Sequence, residues 1–152
     1  TMSDQAKASG AQLLLYPHQS SWVERIEDSI RVADQVDRPN VGVMFNLCHW
    51  LRVDSSRDYR SLLKRAMPRL WAVSLNGADE YDEKPGWERY IQPLDKGTFD
   101  TGKLLRTVLL STGVAKSPKG GKSWELDLIV NVTERVCGEL DALAPVIEMV
   151  PV

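Results

Sequence analysis

The sequence predicts an α/β fold in which parallel strands alternate with helices. Short apolar runs that suit buried strands begin near Leu13, Val41 and Leu70, so the repeat is about 28–29 residues long. A segment with helical spacing of its apolar residues follows each run. Strand–helix units of this length are typical of parallel sheets with right-handed crossover connections.

The first unit follows a short polar segment. Residues 1–10 are small and polar, and we expect them to form a disordered or frayed lead-in. Ala11–Tyr16 is apolar and predicts a strand. Ser21–Val36 predicts an amphipathic helix, because apolar residues recur at helical spacing and Glu24 follows Ser21 at the distance of a capping box.

The second unit begins with Val41–Trp50, around which the rest of the chain is organised. It starts as a buried strand and ends in polar and aromatic residues, and α/β folds build their sites at such strand ends. Arg52–Arg57 is expected to be a polar linker, and Asp58–Ala66 is expected to be a helix. Leu70–Leu75 is the third buried strand.

A long loop from Gly77 to about Phe99 follows the third strand, and such loops in compact domains are usually functional or flexible. A helix is predicted over Thr101–Leu110. The remaining segments are predicted as a loop, a strand, a helix and an irregular end, in the order Gly113–Ser123, Trp124–Val132, Thr133–Leu143 and Ala144–Val152.

Composition narrows the class of protein. The chain has 152 residues, 43% of them apolar and 26% charged, as in a globular domain with a sizeable core. Its net charge of −2 argues against nucleic acid and anionic membranes as partners. No signal peptide or membrane span is recognisable, and the two cysteines show no metal spacing. Cytoplasmic localisation is therefore favoured, although the natural N-terminus is expected to lie upstream of Thr1.

Open doubly wound sheets and (βα)₈ barrels share the repeat described above. A complete barrel needs about 250 residues, so a barrel would be only about half present in this chain. The repeat alone leaves both architectures open.

An ordered set of motifs at these strand ends resembles the C-terminal half of the xylose isomerase-like TIM barrels, the sugar phosphate isomerase/epimerase superfamily. The resemblance implies that residues 11–113 form the fifth to seventh βα units of the barrel, and that residues 114–152 are a divergent tail with a possible strand and helix. The motifs are Leu13–His18 with Trp22, Arg38–Val43, Asn46–His49, Pro68–Leu70, Asn76–Asp79 and Pro93–Asp100.

The resemblance implies proton transfer beside a sugar carbonyl, assisted by a divalent metal and two carboxylates. The family's metal-ligand positions on strands five, six and seven fall on Tyr16, Asn46 and Ser74, and the strand-eight position has no counterpart. These neutral groups are poor substitutes for carboxylates and imidazole. We therefore predict that the usual metal is not bound, and no other cofactor is predicted.

The predicted substrate-binding residues are His49, Asn46, His18, Tyr16, Ser74 and Asn76. His49 matches a substrate-facing histidine of the family, and His18 also stands at a strand end. For both histidines, a hydrogen-bonded structural role is the alternative. The tryptophans at positions 50, 71 and 87 could stack on a sugar face or belong to the core, and no catalytic residue is assigned.

Three functional hypotheses remain open. The chain could be a sugar isomerase or epimerase that uses residues other than the usual metal set. It could instead be a non-catalytic module that binds a small sugar or sugar derivative. The third hypothesis is a half-barrel that self-associates, because exposed sheet edges invite pairing with another copy.

Overall fold

The computed structural model describes residues 1–80, 86–112 and 127–130, and its centre is a four-stranded parallel sheet. The strands lie in the order β1-β2-β3-β4, and over the described residues the sheet is open rather than closed into a barrel. The predicted α/β fold with parallel strands alternating with helices is confirmed, and an open parallel sheet of this strand order is consistent with part of a TIM barrel. The strands are β1 (Leu13–Leu15), β2 (Val41–Asn46), β3 (Leu70–Leu75) and β4 (Asp127–Val130).

Six helices accompany these strands in the described part of the chain, with a short 3₁₀ turn over Met67–Arg69 before β3. None of the described helices is long and apolar enough to cross a membrane. The helices are α1 (Met2–Ala8), α2 (Ile26–Val36), α3 (Leu47–Val53), α4 (Tyr59–Ala66), α5 (Trp87–Tyr90) and α6 (Thr101–Thr112).

The two faces of the sheet differ because side chains alternate along each strand. On β2, Val43 and Phe45 belong to the main apolar core, together with buried residues of α2, α4 and α6. Asn46 lies on the opposite face, where Leu14 and Tyr16 of the first unit are 41% and 45% exposed. The helices therefore cover one face, and Asn46 and Ser74, which are both predicted to bind substrate, lie on the other.

Two predicted boundaries at the start of the chain are wrong. The predicted frayed lead-in contains a helix, α1. The Thr1 side chain caps this helix by accepting the backbone N–H of Asp4, and the Asn40 side chain donates to the Ser3 carbonyl at 2.8 Å. The second helix begins at Ile26 rather than Ser21. The Glu24 carboxylate accepts the backbone N–H of Ser20 at 2.8 Å. This hydrogen bond lies in the loop before α2, and the predicted capping box at Ser21 does not start the helix.

Other boundaries shift by less. The predicted linker at Arg52–Arg57 starts too early, because α3 follows β2 without a loop and continues to Val53. The long loop after β3 contains the short helix α5. β4 lies within the segment predicted as the strand Trp124–Val132, whereas the predictions for Gly113–Ser123, Thr133–Leu143 and Ala144–Val152 lie outside the described residues.

A close contact between neighbouring strands fixes the register of β2 and β3. The ladder shifts between Val43 and Met44, and the Trp71 indole lies directly against Gly42. A Cβ atom at position 42 would overlap the centre of the indole. Glycine is required here because of the neighbouring ring rather than because of a turn.

Gly42→Ala is expected to destabilise the fold by about 1–3 kcal/mol, the usual cost of overpacking a filled site. Urea unfolding at neutral pH measures this loss. In a Trp71→Ala background the same substitution should cost far less, because the ring that it meets is gone. An equal cost in both backgrounds would show that the Trp71 contact is not the cause.

Candidate functional site

Asn46 is the last residue of β2 and also the N-cap of α3. Its Oδ1 atom accepts the backbone N–H of His49 at 3.4 Å and the Cys48 thiol at 3.0 Å. Its Nδ2 atom donates to the Tyr16 hydroxyl at 2.9 Å. One buried amide thus links the residue that follows β1 to the first turn of α3.

His49 lies in that first turn and is only 6% exposed. The backbone N–H of Gln19 donates to its Nδ1 atom at 3.3 Å, so the proton of the neutral ring is on Nε2. Burial, reinforced by the positive charge that His18 can carry, lowers the pKa of His49 from 6.5 to about 4. His49 is therefore a neutral hydrogen-bond donor at physiological pH.

Three other rings surround this imidazole, and we call Tyr16, His18, His49 and Trp87 the ring cluster. The centroid of His49 lies 4.2 Å from that of His18, 5.6 Å from that of Tyr16 and 5.2 Å from that of Trp87. Tyr16 and Trp87 meet His49 edge-on. Since Tyr16, His18 and Trp87 are solvent-accessible, the cluster forms an aromatic surface around a buried donor.

The structure brings three of the predicted substrate-binding residues, Tyr16, His18 and His49, into this cluster, with Asn46 beside them. Ser74 pairs with Asn46 in the β2–β3 register and is half-buried. Asn76 is used differently, since its Nδ2 atom donates to the carbonyls of Gly77 at 2.7 Å and Tyr90 at 2.6 Å. Asn76 therefore holds the loop that carries Trp87.

Sequence reasoning did not find Arg52. Its guanidinium carbon lies 5.3 Å from the Trp87 ring centroid and 5.4 Å from that of Tyr90. Arg52 was assigned to a linker, whereas it belongs to α3 and follows His49 by three residues. Had α3 been predicted, this spacing would have placed both side chains on one side of the helix.

With this geometry established, comparison with known proteins identifies the family. A family model described as the xylose isomerase-like TIM barrel matches residues 1–114. The chain belongs to this family. No curated protein sequence gives a significant match.

A solved structure supports the fold of this xylose isomerase-like chain. The crystal structure of an AP endonuclease, family 2, from Brucella melitensis matches it with a TM-score of 0.55 and 20% sequence identity. The alignment covers 94% of this chain and 49% of that chain. The chain thus spans about half the length of that relative, and at this identity the likeness shows the fold alone.

Members of the xylose isomerase-like family are expected to hold a divalent metal at the strand ends. Whether such a metal fits this chain depends on the side-chain donors at those positions. Both polar atoms of the Asn46 amide already have protein partners. Burial raises the pKa of the Tyr16 phenol, with a further rise from Cys48 and an opposing effect of the Asn46 hydrogen bond. Tyr16 is therefore a neutral phenol at physiological pH, and neutral oxygens do not offset the dehydration of a divalent cation. These residues do not fit the family's metal.

The remaining reactive group near the site is the Cys48 thiol, which is buried. Burial raises the pKa of this thiol, although two backbone hydrogen bonds oppose the rise. The thiol is protonated at physiological pH and donates to Asn46. It therefore contributes to the cap of α3 and not to nucleophilic chemistry.

The lowered pKa of His49 predicts a pH dependence of stability. Above pH 6.5 the ring is neutral in both the folded and the unfolded chain. As the pH falls from 6.5 towards 4, the unfolded chain binds a proton that the folded chain does not, so stability is lost. This loss is expected to reach about 3 kcal/mol.

Urea unfolding between pH 7.5 and 4 on the wild-type chain and on His49→Gln tests this effect. The glutamine variant keeps a polar group but cannot titrate, so the stability difference between the two chains should change across this range. Parallel pH profiles would contradict the assignment of His49 as a ring that stays neutral in the folded state.

Proposed function

We propose that this xylose isomerase-like chain binds a small sugar or sugar derivative at the ring cluster and does so without the family's usual metal. The proposal depends on the buried, neutral His49 imidazole, which has three aromatic rings around it and whose Nε2–H has no hydrogen-bond partner among the residues that the structure describes. Such sites, with mainly aromatic linings and few fixed polar groups, suit ligands of this size. Sugar hydroxyl or carbonyl oxygens are the acceptors that His49 would contact.

Whether the bound sugar also reacts depends on proton transfer next to its carbonyl. The family's chemistry needs groups that exchange protons near neutral pH. Tyr16 and Cys48 have raised pKa values and His49 has a lowered one, so none of these three is poised for that exchange. This favours a binding role over isomerase or epimerase activity and makes the non-catalytic module the leading form of the proposal.

A second candidate, the self-associating half-barrel, is favoured by exposed side chains at the edge strand β1. Leu14 and Tyr16 are 41% and 45% exposed there, although they lie in and beside a strand. Sedimentation velocity over a range of concentrations tests this candidate. A concentration-dependent dimer that is lost in Leu14→Lys would support it, and a monomer at all concentrations would reject it.

Sugar binding can be tested by saturation-transfer NMR and calorimetry with aldoses and ketoses, including D-xylose and D-xylulose. His49→Phe retains an aromatic ring but removes the donor. It is expected to weaken binding about tenfold, equivalent to about 1.4 kcal/mol. Trp22→Phe, at a position 76% exposed and outside the ring cluster, is the matched control and should bind like the wild type.

The same samples, incubated in deuterium oxide, separate the two forms of the proposal. Deuterium entering the carbon beside the carbonyl, with loss of exchange in His49→Phe, would establish isomerase-type chemistry. Binding without exchange is the expected result and would establish a binding module. Binding that is unchanged in His49→Phe would reject the ring cluster as the site.

Metal independence is a separate prediction. Elemental analysis of the purified chain is expected to show less than stoichiometric Mn, Mg or Zn, and sugar binding should persist in excess chelator. Stoichiometric metal that is lost together with binding on chelation would overturn this prediction.

A further inference from the structure

Trp87 lies at the edge of the ring cluster although it belongs to a different part of the chain. It opens α5, in the segment that follows β3, and its ring meets His49 edge-on at 5.2 Å. It is 36% exposed, which is high for a tryptophan that also contacts a buried imidazole. A large part of the indole therefore remains available to a ligand beside the His49 donor.

Helix α5 is too short to hold this position by itself, so its surroundings must fix it. The backbone carbonyl of Tyr90 accepts from Asn76 at 2.6 Å, and that of Arg89 accepts the N–H of Asp79 at 2.7 Å. The buried Asp79 carboxylate also pairs with the Arg89 guanidinium at 2.8 Å. These bonds connect α5 to the segment directly after β3.

Arg52 fixes the indole itself. Its guanidinium lies 5.3 Å from the Trp87 ring centroid and 5.4 Å from that of the buried Tyr90. Cation–π attraction is strongest for tryptophan and increases as water is excluded. Because Arg52 and His49 belong to the same helix, α3 determines the position of both the donor and the indole.

We propose that Trp87 is the residue on which a ring-form sugar stacks while His49 donates to one of its oxygens, and that Arg52 is the positioning residue that holds the indole in place. This inference rests on the proposed function and adds a preference for cyclic ligands. The electron-rich face of an indole attracts the weakly positive C–H groups on the flat side of a pyranose. The matching open-chain alditol retains the hydroxyl groups of the methyl pyranoside and has two more, but it has no such side.

The test compares methyl pyranosides, which cannot open, with the matching open-chain alditols. Methyl β-D-xylopyranoside and xylitol form one pair, and the gluco, galacto and manno configurations supply three more. Saturation-transfer NMR and tryptophan fluorescence report binding to the intact chain. The wild type is expected to bind at least one pyranoside about tenfold more tightly than its alditol.

Three variants identify the residues responsible. Trp87→Ala should remove the preference for the pyranoside, and Trp87→Phe should retain part of it. Arg52→Met keeps the length of the side chain without its charge. It should weaken pyranoside binding and shift the part of the tryptophan emission that Trp87→Phe removes. Arg52→Lys should partly restore both readouts. Trp22→Phe removes an exposed tryptophan that contacts Arg31 instead, so it should leave the preference unchanged.

The outcomes separate this inference from the proposed function. If His49→Phe weakens binding but Trp87→Ala leaves the pyranoside preference intact, the site stands and the stacking role is overturned. If Arg52→Met leaves unaltered the part of the tryptophan emission that Trp87→Phe removes, the positioning role of Arg52 is overturned. If the wild type binds none of the sugars in either experiment, the proposed function is rejected, and this inference with it.

Discussion

The structure of the site depends on the side chain of Asn46. This residue ends β2 and caps α3, so strand and helix are joined without a loop. Its amide accepts from the first turn of α3 and donates to Tyr16, the residue that follows β1. A single buried amide therefore connects two neighbouring strand ends and positions His49 beside them. It does so by capping α3 and by bonding to a second part of the chain at the same time.

That role explains why the site differs from the metal chemistry implied for the family. A ligating carboxylate must direct its charged oxygens at the cation, whereas the Asn46 oxygen is directed at the N-terminus of α3. The amide nitrogen meanwhile donates to a phenol whose pKa is raised by burial. All of these hydrogen bonds join uncharged groups. The His49 imidazole is uncharged as well, because its pKa is low. The site is consequently suited to hydrogen bonding with uncharged oxygens.

Sequence patterns predicted much of this arrangement but not all of it. The β2 and β3 strands were found because a run of apolar residues is sufficient to mark a buried parallel strand. The proximity of His49, Tyr16 and His18 could be predicted because they end or follow such runs, and the carboxyl ends of parallel strands meet at one edge of a sheet. The start of α3 was missed, since a strand and a helix that share one residue leave no turn signal between them. Arg52 was missed with it, because a cation–π contact between α3 and α5 joins residues 35 positions apart.

The contacts that build the ring cluster lie within one part of the chain. The ring cluster, Asn46 and Arg52 all lie between residues 16 and 90, and α5 is fixed by bonds to the end of β3. Their geometry therefore depends on three consecutive strand–helix units, because the carboxyl ends of neighbouring parallel strands meet at one edge of the sheet. Three consecutive strand–helix units are thus sufficient to bring the ring cluster, Asn46 and Arg52 together.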